Sequence, residues 1–418
     1  MQVDGHTKFI DDERVIRMWL VYVILIIGAL IAWMVVDFKL GRSRFIRTRT
    51  RRNYGDRYSD ITLISRGPEL FDKMFYDIKN AESSIHILFY IVQNDHLGHR
   101  FLEVLEEKAK QGVEVRLLMD QLGSSQVPKS KVKLLKQAGA EVAFAQKVKL
   151  PHLFFTSQQR NHRKITVIDG KQGYLGGYNV GKEYIDENDR PELSPWRDYH
   201  MRMEGEGVLD LQAEFSIDWH RATQKELKNE PLYFPPAAKG EIRHQIFPTE
   251  GVNIEKFFGE FIDDAKHSIV IGTPYFIPTS HLMDKLLAAL DRGVKLEIIV
   301  PNQADHALVK EAAFPYFRPL LEKGALVYQY MNGFYHGKLM IVDDHFCDIG
   351  TANFDQRSFF INLELNNLIY DKNFIDIVKK EVAKDIKESD RLTASDLQSV
   401  SVFTRIKEKV ASAISILL

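Results

Sequence analysis

The sequence predicts an internally duplicated α/β protein, two α/β/α sandwich domains behind an N-terminal transmembrane helix. Three observations predict it. An uncharged apolar run stands near the N-terminus, one order of helix-like and strand-like stretches occurs twice, and each copy closes on the same His-x-Lys-x4-Asp motif. The 418 residues suffice for two or three domains of roughly 100–200 residues. With 45 % hydrophobic and 27 % charged residues, the composition is that of a globular chain. It excludes a disordered chain, a fibrous repeat and a polytopic membrane protein. The single cysteine, Cys347, excludes an intrachain disulfide and fits a reducing compartment.

The first element is the apolar run. Met18 to Val36 carries no charge over 19 residues, the length needed to cross a hydrocarbon core. Trp19, Tyr22 and Trp33 lie toward its ends, where amphipathic rings favour the interface. A cleaved signal peptide would have a shorter apolar region and a small-residue cleavage site. Here the run passes into Val-Val-Asp-Phe-Lys and then arginines. The tail, residues 1–17, has three basic residues, whereas residues 39–57 have eight. The C-terminal side is therefore expected in the cytoplasm, with the basic segment 37–58 resting on an anionic bilayer surface at about 1 kcal/mol per side chain. The remaining residues, 58–418, hold 45 basic and 51 acidic residues. That acidic balance argues against nucleic acid as a partner.

The repeated elements follow. Leu70, Met74 and Ile78 share a helical face before the apolar stretch SSIHILFYIV; Ile254, Phe257, Phe258, Phe261 and Ile262 form a helix stripe before HSIVIGTPYFI. A helix near His99–Gln111 stops at Gly112, and one near His281–Arg292 stops at Gly293. Strands follow at Val113 and Val294, so strand, crossover helix and strand imply parallel pairing. Gln224–Glu241, with Pro231, Pro235, Pro236 and Gly240, reads as the linker. The expected domains are thus residues 59–223 and 242–390, with an amphipathic helical segment over 391–418. An insert in the first half only, Val148–Arg160, reads either as lining for acyl chains or as a loop packed on its own domain.

The motif carries the chemistry. HRKITVID (162–169) aligns with HGKLMIVD (336–343), and each is followed by Gly-x-x-Asn: Gly176 to Asn179 and Gly350 to Asn353. Residues two apart in a strand share a face, so His162 and Lys164 emerge together, as do His336 and Lys338. Glycines let backbone approach a ligand, and Asn179 and Asn353 can donate from their amides. Two halves facing one pocket would offer two imidazoles and two ammonium groups, a set suited to a phosphodiester. One histidine can attack phosphorus while the other protonates the leaving oxygen. Asp198 and Glu364, on the following strands, can each orient a histidine. Asp169 and Asp343 complete the motif but sit at the far end of the strand and read as structural. No metal or other cofactor is called for: the histidine spacing fits no zinc pattern, and there is no acid cluster for magnesium.

The paired motifs resemble those of the phospholipase D superfamily, over about residues 60–400. Within it, HRKITVIDGKQGYLGGYNVGKEY, PWRDYHMRMEG, GTPYFIP, VPNQADHALV, GFYHGKLMIVDD and GTANFDQRSF most resemble the bacterial cardiolipin synthases, as does the C-terminal RIKEKVASAISILL. The resemblance implies one active site at the interface of two α/β domains and a phosphohistidine intermediate. It implies transfer of a phosphatidyl group between two phosphatidylglycerol molecules, giving cardiolipin and glycerol. It favours His162 as nucleophile and His336 as general acid, then base. Gly177 and Thr351 stand where the superfamily often has serine, and one membrane helix stands where many members have two. The same residues would serve a hydrolytic phospholipase D, which differs in admitting water to the intermediate. The acidic balance and the anchor argue against a superfamily nuclease, and two intact motifs argue against a catalytically dead scaffold.

Overall fold

A computed structural model describes residues 4–49, 52–227, 231–306 and 308–417. The chain separates into two compact units, residues 1–49 with 148–158, and residues 50–147 with 159–418.

The first unit is a helix pair. Helix α1 (Asp4–Arg47) continues through the apolar run into the basic segment. From Ile16 to Val36 its large apolar side chains are solvent-exposed, as expected of a surface meant for lipid. At its C-terminal end it holds the first-half insert, where α5 (Leu153–Gln158) forms. Phe155 is buried between Phe38 and Phe45, at centroid distances of 5.7 and 5.9 Å. Buried Asp37 accepts from the Phe155 amide at 2.9 Å, satisfying a helix-start donor that lacks an intrahelical partner. The insert thus packs on the N-terminal helix. Its aromatic residues build a contact with that helix, Phe154 and Phe155 both lying against Phe38.

The second unit holds the duplication. Its first half runs β1 (Arg57–Arg66), α2 (Gly67–Lys79), β2 (Ser84–Phe89), α3 (His96–Lys110), β3 (Glu114–Asp120), α4 (Lys129–Gln137), β4 (Glu141–Ala145), β5 (Ile165–Ile168), β6 (Gln172–Gly176), β7 (Trp196–Gly205) and α6 (Gly207–Thr223). Its second half runs β8 (Ile242–Glu250), α7 (Ile254–Asp264), β9 (Ser268–Gly272), α8 (Ser280–Asp291), β10 (Lys295–Pro301), α9 (Val309–Glu322), β11 (Leu326–Tyr330), β12 (Phe334–Tyr335), β13 (Leu339–Val342), β14 (Phe346–Gly350), α10 (Gln356–Phe360), β15 (Leu363–Ile369), α11 (Lys372–Lys387) and β16 (Ser389–Leu392). Two helices follow, α12 (Ala394–Gln398) and α13 (Val402–Ala413).

Local chemistry sets the crossover helices alike in both halves. Asp95 caps α3 by accepting from Gly98 N, and Thr279 caps α8 by accepting from Leu282 N. Gly112 and Gly293 follow their C-termini at φ +89° and +84°, a left-handed turn that glycine enters without a Cβ penalty. Strands β2, β3 and β4 pair in parallel, as do β9, β10 and β11. The sheet is nevertheless mixed. Strands β5, β6 and β7 pair antiparallel, as do β13, β14 and β15, with short turns joining β5 to β6 and β13 to β14.

The strand order is β16-β11-β10-β9-β13-β14-β15-β8-β1-β7-β6-β5-β2-β3-β4, which reads almost the same from either end. Strands β8 and β1 join the halves at its centre, with Ser59 opposite Ile242. Each half has its own core beneath α2–α3 or α7–α9. A third core is shared. It packs Leu175, Met201 and Phe215 of the first half with Ile349, Leu365 and Phe374 of the second. Burying such side chains stabilises by about 1.5–3 kcal/mol each, so the halves are held together by core as well as by hydrogen bonds.

Candidate active site

Both motifs end their approach on a strand of the opposite half. Residues just before His336 form β12, which pairs with the start of β7 through Phe334–Trp196 and Tyr335–Arg197. The His336 amide donates to Arg197 O at 2.7 Å. In the mirror position, Asn161 bridges Leu363, and the His162 amide donates to Leu363 O at 2.9 Å. These pairings carry each histidine across the boundary, next to the acid that begins the other half's strand.

The histidine–carboxylate pairs are therefore crossed. His162 Nδ1 donates to Glu364 Oε2 at 2.9 Å, and His336 Nδ1 donates to Asp198 Oδ2 at 2.6 Å. Both carboxylates are fully buried. A proton held on Nδ1 leaves the Nε2 lone pair free for chemistry. Tyr90 packs edge-on against His162, and Trp196 and Phe334 flank His336. These walls and the buried acids fix the rings.

The two pairs are not equivalent. Glu364 Oε2 also accepts from Thr351 Oγ1 at 2.6 Å, while its Oε1 accepts from Ser358 Oγ at 3.0 Å and Asn362 Nδ2 at 3.2 Å. Among the described residues, no hydroxyl donates to Asp198 in this way. A Cβ on Gly177 would lie 2.1 Å from Asp198 Oδ1, so the first half has no room for the side chain that Thr351 supplies in the second. Instead Lys338 Nζ lies 3.4 Å from Asp198 Oδ2 and 2.7 Å from His336 Nδ1.

Burial, with help from these lysines, disfavours added protons. Burial and then Lys338 push His336 down to about 4, and burial lowers His162 although Glu364 opposes it. Burial of Glu364 and Asp198 favours their neutral forms. It is outweighed for Glu364 chiefly by His162 and for Asp198 by Lys338 and His336, so both stay below the usual carboxylate range. Lys164 donates to His162 O at 2.8 Å, and Lys338 to His336 O. Burial and its fellow lysine push Lys164 down to about 7. An anion between them would hold both protonated. Above pH 7 anion binding must therefore take up a proton. Competitive inhibition by sulfate, whose own charge is constant there, is expected to weaken by up to about tenfold per pH unit from pH 7 to 8.5. A flat inhibition constant across that range would contradict this electrostatic reading.

The remaining motif residues fall elsewhere. Asp169 sits at the far end of β5, at φ +54°, accepting from the amides of Glu82, Ser83 and Ser84. Asp343 does the same for Lys266, His267 and Ser268. Each ties the turn before β2 or β9 to the end of the motif strand, a structural place like the one expected from the sequence. The expectation for Gly176 and Gly350 is corrected. A Cβ on either would come within 2.5 Å of a Cα on the neighbouring strand, His200 or Asn366, so they serve strand packing. Asn179 Nδ2 donates to Tyr184 Oη, and Asn353 Nδ2 to Asp355 Oδ2. As phosphate donors they would have to exchange those partners.

Sequence reasoning missed Arg163, the residue between His162 and Lys164. Its buried guanidinium donates to Glu364 O and pairs with Glu214, Asp218 and Glu250. Arg52 and Arg221 share those acids. Strand alternation points Arg163 away from His162, and an arginine entering an apolar strand was the signal that buried acids must meet it. Removing one member of such a network typically costs about 3–5 kcal/mol.

Comparison with known proteins gives the family. The family described as cardiolipin synthase, PLD-like domain, matches residues 74–190 and 259–386, more than half of the chain and one segment per half. The chain belongs to this family. A minor cardiolipin synthase, ClsB, of Bacillus subtilis is 40 % identical over 94 % of this chain and 98 % of its own. The major cardiolipin synthase, ClsA, of the same organism is 39 % identical over 85 % of this chain and 75 % of its own. Among solved structures, phosphatidylserine synthase of Haemophilus influenzae superposes with a TM-score of 0.70 at 15 % identity, covering 90 % of this chain and all of that one. At that identity it shows the shared fold. Cardiolipin synthases of this family are phosphatidyl-transferring enzymes of the phospholipase D type, and the chain carries both of the family's motifs.

Proposed function

We propose that the protein is a membrane-anchored cardiolipin synthase that joins two phosphatidylglycerol molecules through a phosphatidyl-histidine. The crossed histidine–carboxylate pairs carry the reading, because they offer two differently supported imidazoles to one phosphodiester. His162 Nε2 attacks phosphorus, and the bond from phosphorus to the glycerol headgroup oxygen breaks. His336 gives that oxygen a proton, and glycerol leaves. Neutral His336 then takes the proton from a hydroxyl of the second phosphatidylglycerol. That oxygen attacks phosphorus, the phosphorus–nitrogen bond breaks, and cardiolipin forms. Lys164 and Lys338 hold the non-bridging oxygens and stabilise charge in both transition states. The anion also offsets the lysine charge that keeps His336 from holding a proton. Asn179 and Asn353 are accessory donors in this reading. Incubating the purified protein with phosphatidylglycerol should give cardiolipin and free glycerol. Phosphatidic acid as the main product would make the protein a hydrolase instead.

The basic residues after the apolar run support a cytoplasmic catalytic unit. A reporter fused after Leu418 is expected to be active only in its cytosolic format. An active periplasmic or extracellular format would reverse the topology.

A further inference from the structure

We propose that α13 is an interfacial membrane helix, lying on the bilayer with Val402, Phe403, Ile406 and Val410 in the boundary between headgroups and acyl chains. The helix presents two opposed faces. One is fixed to the protein. Arg318 of α9 donates twice to Glu408, at 2.8 Å each; Lys407 pairs with Glu311 at 3.0 Å; and Ala411 is buried in a small cluster with Ile277 and Ala312. The other face is apolar and open, with Val402 76 %, Phe403 66 %, Ile406 54 % and Val410 49 % exposed. With α13 anchored through Glu408 and Ala411, this stripe cannot turn inward.

Elsewhere in the same compact unit, exposed large apolar side chains such as Tyr76, Met331 and Ile377 are scattered along the chain; here four fall within nine residues. Basic residues edge the stripe. Exposed Arg405 and Lys409 lie on one side, and on the other Lys407 lies over the Phe403 ring at 5.2 Å. Aliphatic stems along an apolar stripe with cationic ends beside it are the pattern of a helix that sits on anionic lipid. A second protein copy would bury the stripe but would not call for exposed cations such as Arg405 and Lys409 along its edge.

The contact bears on the site. The turn Ser415–Leu417 after α13 touches α10, and Ser358 of α10 donates to Glu364, the partner of His162. A bilayer-bound α13 would therefore hold one wall of the site against the surface that supplies lipid. The catalytic part of this inference rests on the proposed function; the membrane contact does not.

The test uses the full chain in vesicles of phosphatidylglycerol and phosphatidylcholine. Cys347 is buried, so a polarity-sensitive fluorophore can be placed selectively at Ile406→Cys or, on the polar edge, at Ser412→Cys. Quenchers carried on lipid acyl chains should reduce emission at position 406 at least twofold more than at 412. The double variant Phe403→Ser, Ile406→Ser should lose about tenfold in activity on bilayer phosphatidylglycerol and keep its activity on a monodisperse short-chain analogue. Equal, weak quenching at both positions would overturn the proposal. So would quenching by a label on a second copy in place of lipid. Strong lipid quenching in a protein that makes no cardiolipin would sustain the membrane contact and reject the proposed function.

Discussion

Replacing His162 or His336 by alanine is expected to lower cardiolipin formation by at least about 10³-fold, with the fold intact. In the proposed cycle the nucleophile and the proton carrier act on one phosphorus, so losing either stalls the same cycle. General acid–base catalysis alone typically supplies about 10²–10⁴-fold, and losses within one catalytic unit do not add. The double variant should therefore be scarcely slower than the worse single variant. Turnover of phosphatidylglycerol by the purified variants measures this. A double variant whose loss equals the product of the two single losses would mean that the histidines work in separate steps at separate sites.

The second large effect belongs to Glu364. Replacing it by glutamine should cost about 10²–10⁴-fold in kcat, although its shape is preserved. The carboxylate accepts from His162 and Thr351 on one oxygen and from Ser358 and Asn362 on the other. An amide must give one of those sides to an NH₂ group. Turned toward His162, it forces the ring proton onto Nε2 and silences the proposed nucleophile. Turned away, it leaves a neutral acceptor that supports a developing imidazolium less well. Asp198→Asn should act likewise on His336, and with a different pH profile, because Lys338 crowds that pair. Comparison of kcat and KM across pH tests this. A loss smaller than about tenfold in Glu364→Gln would remove Glu364 from the mechanism.

Much of this was legible because it is local. Helical spacing and the glycines at 112 and 293 mark the crossover helices, and the repeated His-x-Lys-x4-Asp marks the site in both halves. The crossing of the pairs was not legible. Asp198 and Glu364 stand at like places after their own motifs, and spacing along one half does not say that the β12–β7 contact and the Asn161–Leu363 bridge carry each histidine to the other half's acid. The parallel pairs β2–β3 and β9–β10 were legible from their crossover helices. Phe155 could not be placed from sequence because its partners, Phe38 and Phe45, lie over a hundred residues away. Gly177 and Thr351 both stand where the superfamily often has serine, and the sequence alone does not tell them apart. Only the distance to Asp198 shows that one must be bare while the other binds Glu364.

The covalent route through His162 is the central claim, and trapping tests it most directly. A phosphatidyl donor with a good leaving group needs no acid to load the enzyme, but the adduct still needs His336 as base to turn over. His336→Ala should therefore accumulate an acid-labile phosphatidyl group on the peptide that bears His162, seen by mass spectrometry, and His162→Ala should accumulate none. Label on the His336 peptide of His162→Ala alone would reverse the two roles. Label on neither variant, under conditions where the wild-type protein turns the donor over, would contradict the covalent mechanism itself.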